Sequence, residues 1–109
     1  MDKECTPHNK QVCEQFYKSV ELIGKKWTGA IISALSEDEC RFCDMRDMIP
    51  SMSDRLLTER LKELEANGII ERQVTTERPL QVKYMLTKKG QDLVPILESI
   101  RNWMGKWRE

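Results

Sequence analysis

At 109 residues the chain has room for one domain with one modest core. Charged residues make up 33% of it, yet 18 basic and 18 acidic groups cancel, which excludes a binder relying on bulk positive charge. Local basic patches are then the only electrostatic handle for a nucleic acid, and residues 41–89 carry a slight basic excess. No apolar run approaches the roughly 20 residues of a membrane span, and no secretory segment follows the charged start. The expected location is the cytoplasm, where four cysteines stay reduced rather than forming a disulfide framework.

Residues 1–11 are polar, and Pro7 argues against a clean helix there, so they are expected to form a flexible arm ahead of one domain spanning 12–109. His8 stands alone in that arm with nothing to complete a catalytic set. Val12, Phe16, Val20 and Ile23 recur at helical spacing and predict an amphipathic helix closed by Gly24. Lys25, Lys26 and Trp27 make a corner, with Trp27 read as a core or interface aromatic. A second helix runs through Ile31, Ile32 and Leu35. After an acidic turn at 36–39, Cys40 to Phe42 read as a short strand and residues 43–49 as a brief helix stopped by Pro50. Met45, Met48 and Ile49 are its expected inward residues.

The next stretch organises the chain. Ser53 is a good N-cap, Leu57, Leu61 and Leu64 with Leu56 form an apolar stripe, and Asn67-Gly68 supplies a left-handed terminus. Arg55, Glu59 and Lys62 project opposite the leucines, with Thr58 at the side. Arginine can grip a guanine edge or a phosphate, threonine a phosphate or thymine methyl, and lysine a phosphate. The same pattern also fits a plain solvated face laced with Glu–Lys pairs.

Residues 69–75 and 81–87 predict two strands around a connection that carries Arg78 at its tip. Short strand, helix, helix and hairpin in this order spell a winged helix-turn-helix, mainly α with a small β-hairpin. Thr87 then caps a last helix bearing Leu93, Ile96, Leu97, Ile100, Trp103, Met104 and Trp107, which Pro95 should bend or delay. That stripe exceeds what a small domain's edge buries alone. It is expected to pair two copies together with residues 12–23, so that N- and C-terminal dimerisation helices flank the fold.

With these segments placed, the chain resembles the HxlR-type regulators, bacterial relatives of the MarR winged-helix proteins. The residues that carry the resemblance begin with Cys13, Gly24-Lys25-Lys26-Trp27, Arg41-Phe42, Ile49-Pro50 and Ser53. They continue through Leu57, 60–65, 68–72, Pro79, 82–84, 86–90, Pro95 and Trp103. The resemblance implies a homodimeric transcription factor, in many relatives a repressor, placing two recognition helices in successive major grooves of a palindromic operator. Departures are that Glu14, not proline, follows Cys13, that a Thr-Pro pair follows Cys5, and that Asp38-Glu39-Cys40 replaces a Gly-Pro-Lys-like turn.

Several members of that family sense electrophiles or oxidants through a cysteine equivalent to Cys13. Independently, a thiol in the first turn of a helix faces the positive dipole end, which favours the thiolate. A small buried hydrophobe is the alternative reading of such a thiol. Cys40 and Cys43 have CxxC spacing, but an extended Cys40–Phe42 would hold them roughly 10 Å apart, too far for a disulfide. A zinc site would need further ligands from Cys5, His8 or Cys13, so no metal or cofactor is expected.

The DNA-contacting set read from the sequence is therefore Ser51, Ser53, Arg55, Thr58, Glu59, Arg60, Lys62 and Arg78, with Ser51, Ser53 and Arg60 capping or touching phosphate. Cys13, Cys5, Cys40 and Cys43 are the candidate redox-sensing thiols. No phosphate loop, paired histidines or Ser/His/Asp set supports an enzyme. The rivals are a winged-helix protein-interaction module without DNA binding, and a DNA-binding regulator with no thiol switch.

Overall fold

Leu57, Leu61 and Leu64 are buried on one stripe, and the rest of the core is built on them. The computed structural model describes residues 7–76 and 78–108, with side chains from Glu14 onward. In chain order the elements are α1 (Pro7–Gly24), α2 (Thr28–Glu37), β1 (Cys40–Arg41), α3 (Phe42–Met48), α4 (Asp54–Ala66), β2 (Ile70–Val74), β3 (Val82–Leu86) and α5 (Lys88–Trp107). Ile31, Ile32 and Leu35 of α2, Met45 of α3, Ile49 and Met52 of the following turn, and Ile69, Ile70 and Leu86 close the core around the leucines.

The sheet is antiparallel in the order β1-β3-β2, with Cys40 and Arg72 both opposite Tyr84 and Ile70 opposite Leu86. Helix α4 starts and stops as its sequence dictates. The Ser53 hydroxyl accepts the Leu56 N–H at 3.1 Å. At the other end Gly68 adopts φ 74°, with Ile69 N–H donating to Leu64 C=O and Gly68 N–H to Glu65 C=O. Those two bonds are the Schellman arrangement, which satisfies carbonyls that the helix leaves open.

Four expectations change. Helix α1 begins at Pro7, not near Val12, because proline's fixed φ and missing N–H suit a first turn. Residues 1–6 of the expected arm lie outside the described residues. Helix α1 does end at Gly24 as expected, while the left-handed residue of the corner that follows is Trp27, at φ 77°. An L-residue there costs about 1–2 kcal/mol. Its carbonyl accepting the Ile31 N–H and its half-buried ring packed on the core hold it in place. Strand β1 ends at Arg41, where the Asp44 carboxylate accepts the Arg41 N–H at 2.9 Å and starts α3 one residue early. Met48 then faces solvent. Finally, α5 starts directly after Thr87 and runs through Pro95, so the proline does not delay it. Pro95 and Gln91, whose carbonyl loses its helical donor, are both exposed, so water can replace that bond.

Among the described side chains, α1 and α5 add little to the core beyond Leu22, Leu93, Val94 and Leu97. Phe16, Tyr17 and Val20 on α1 and Ile96, Ile100, Trp103, Met104 and Trp107 on α5 remain exposed, Trp103 at 60%. Among the described helices none is long and apolar enough to cross a membrane.

Candidate nucleic-acid interface

Burying the leucine stripe fixes which face of α4 meets solvent. Arg55, Glu59 and Lys62 are exposed on that face and Thr58 is half-buried at its edge. Arg55 Nε lies 3.7 Å from Glu59, one turn on, with 90% of the arginine side chain exposed. Such a pair is screened by water and opens easily to a stronger partner. The Thr58 hydroxyl donates to the Asp54 carbonyl at 2.8 Å, which leaves its methyl as the group presented outward. Ser51 is exposed in the turn before α4, and Ser53 is occupied as the cap. Arg78 lies exposed in the wing, whose base is closed by Thr75 N–H to Gln81 C=O at 2.8 Å and Gln81 N–H to the Thr75 hydroxyl at 3.0 Å.

Arg60 points elsewhere. Its side chain is only 18% exposed, its Nε donates to the Lys26 carbonyl at 3.1 Å, and it pairs with Glu63 at 3.6 Å. Lys25 pairs with the same Glu63. The corner after α1 is thereby fastened to the middle of α4, a tie between residues 34 to 38 positions apart that spacing along the chain does not show. At the start of α4, Arg46 of α3 pairs with Asp54 at 3.4 Å.

A groove of about 360 Å³ continues from the outward face of α4 toward the wing. Thr58, Lys62 and Glu65 line it from the helix, Arg72 and Tyr84 from the hairpin, and Phe42 from α3. Arg72 and Tyr84 are not among the DNA-contacting residues read from the sequence. The signal was present, since period-two alternation from Ile70 puts Arg72 on the face that packs toward α4.

The thiols separate sharply. Cys40 is buried with its Sγ near the Ala34 and Asp38 carbonyls, at 3.8 and 3.6 Å. Burial, then the nearby Asp44 and Asp38 carboxylates, push its thiol up from the ordinary value, which disfavours the reactive thiolate. Cys43 is half-buried on α3. Cys5 and the Cys13 side chain lie outside the described residues. The backbone nevertheless corrects one expectation: with α1 beginning at Pro7, Cys13 falls in the second turn, beyond the reach of the helix end's dipole. Among the described residues no three His, Cys, Asp or Glu groups gather as metal ligands would.

Residues 22–109 match the HxlR-like helix-turn-helix family. The chain belongs to that family. It is similar to proteins named as HTH-type transcriptional regulators. YvaP of Bacillus subtilis is 38% identical over 92% of this chain and 93% of its own length. YodB of B. subtilis is 40% identical over 90% of this chain and 88% of its own. Reduced YodB superposes with a TM-score of 0.82 over 87% of this chain and 93% of that one. The redox regulator HypR in its reduced form is 35% identical, with a TM-score of 0.80 over 87% and 94% of the two chains. YodB has also been solved bound to quinone, at 38% identity and a TM-score of 0.76 over 85% of this chain and 97% of that one.

Proposed function

We propose that this HxlR-like protein is a cytoplasmic, homodimeric, sequence-specific DNA-binding repressor of transcription, without catalytic activity, whose hold on DNA responds to thiol-reactive electrophiles or oxidants. The observation that carries the reading is the outward face of α4. Arg55, Glu59 and Lys62 stand exposed, with Thr58 half-buried at their edge, on a helix whose opposite stripe is locked in the core. Two copies paired through the apolar faces of α1 and α5 would present two such helices to half-sites about 34–36 Å apart on a palindromic operator.

The redox part rests on YodB, solved with quinone bound, on HypR, named a redox regulator, and on the position of Cys13 in α1, the helix that carries Phe16, Tyr17 and Val20 of the proposed interface. Thiolate addition to a quinone, or a disulfide formed with a second thiol as diamide takes up two electrons and two protons, would alter that interface and so the spacing of the two α4 helices. Cys43 is a second accessible candidate, whereas the environment of Cys40 argues for a structural role.

The test is a pull-down of genomic fragments with and without reducing agent, followed by release of the recovered operator after diamide or quinone treatment. Release in the wild type but not in Cys13→Ser supports the sensor. Unchanged release in Cys13→Ser removes Cys13 from that role. Recovery of no preferred fragment removes sequence-specific DNA binding itself.

A further inference from the structure

We infer that Arg72, with Lys62, seats a backbone phosphate of the DNA duplex in the groove between α4 and the wing. The inference rests on the reading that α4 enters a major groove, and adds a contact which that reading does not supply. Strand β2 alternates Ile70, Arg72 and Val74 on one face, and β3 places Tyr84 directly opposite Arg72. Ile70 is buried under α4, but one pleat further along the sheet leaves the core and the same face carries an exposed arginine. Lys62 reaches the groove from the facing helix, so two cations on separate elements converge on one opening of about 360 Å³.

A planar guanidinium can hold two phosphate oxygens at once, while the ammonium opposite supplies a point charge. Tyr84 lines the same groove and offers a phenolic hydroxyl as a third donor. The place is what selects duplex DNA over a free anion. Thr58 and Lys62 belong both to the groove and to the outward face of α4. A duplex read by that face must carry one sugar-phosphate strand across the opening toward the wing. Glu65, also in the groove, opposes the phosphate and provides a test of opposite sign.

The experiment measures fluorescence anisotropy of full-length protein with a labelled duplex of scrambled sequence, about 24 base pairs long, across a salt series. Arg72→Gln should bind about tenfold more weakly at low salt and flatten the slope of log affinity against log salt by about 0.9, one phosphate contact in B-DNA. Arg72→Lys should keep most of the slope. Glu65→Gln should bind about threefold more tightly, since a repelling charge is removed. That gain cannot come from damage to the fold, so it decides the matter if Arg72→Gln melts early. A wild-type slope in well-folded Arg72→Gln, or no gain in Glu65→Gln, overturns the inference while leaving α4 as the reader. If the wild type binds neither this duplex nor any genomic fragment, the reading of α4 falls and the phosphate seat with it.

Discussion

Arg60 Nε donates to the Lys26 carbonyl at 3.1 Å, joining the middle of α4 to the corner that follows α1. Lys25 and Glu63 pair beside it, and the left-handed Trp27 shapes the corner they hold. The corner and α4 are therefore joined by a short polar link in addition to the core.

Replacing Arg60 with Gln should cost about 1–3 kcal/mol, the value of hydrogen bonds from a charged donor to a partly buried acceptor. Urea denaturation would show it as a lower midpoint at unchanged m. The salt slope of DNA affinity should stay as in the wild type, because Arg60 is turned inward and meets no phosphate. A flattened slope would return Arg60 to the interface.

Ile100→Glu or Trp103→Glu should give a monomer in light scattering at micromolar concentration, with the domain still folded. Both side chains are exposed on α5, so the charge disturbs no intramolecular packing. Operator affinity should drop by more than tenfold, since one copy loses the linked second half-site. A dimer that survives both changes would place the interface elsewhere.

Gly90→Ala should destabilise the fold by about 1–3 kcal/mol through overpacking. An added Cβ at this position would collide with the Ile69 carbonyl and press on Leu86. The Thr87 hydroxyl, which accepts the Gly90 N–H at 3.1 Å, holds α5 this close to the start of β2. Thermal unfolding checks the loss, and Gly105→Ala, where a Cβ meets nothing within 4 Å, serves as the control.

Two titrations of opposite sign should be visible. The Cys40 thiol is raised, chiefly by burial, so the folded state keeps its proton to higher pH than the unfolded chain. Stability from this group is complete below the unfolded thiol's value, about 8.5, and is lost as pH rises through the folded one. The wild type should therefore lose stability faster than Cys40→Ala on the alkaline side, and native Cys40 should resist iodoacetamide while Cys43 labels. The Asp44 carboxyl is lowered, chiefly by hydrogen bonds from the Arg41 side chain and then its backbone. Its contribution is present above the unfolded aspartate value and is lost as pH falls through the folded one, a difference that Asp44→Asn would abolish.

The features legible in the residues alone are local ones. A serine before a leucine stripe and an Asn-Gly after it define α4, because cap hydroxyls and left-handed glycines act on their own neighbours. Alternation in 81–87 likewise marks β3, and the side of α4 opposite its leucines follows from helical geometry alone. Contacts between distant segments set the rest. Arg60 read as a cap or phosphate contact, yet the Lys26 carbonyl, supplied by a distant corner, accepts from its Nε. Cys40 looked like half of a CxxC until burial and two carboxylates disfavoured its thiolate. Arg72 read as one charge among many until the hairpin set it across from Lys62. Each of those outcomes depends on what another segment places within a few ångströms, and desolvation and charge respond to that distance, not to separation along the chain.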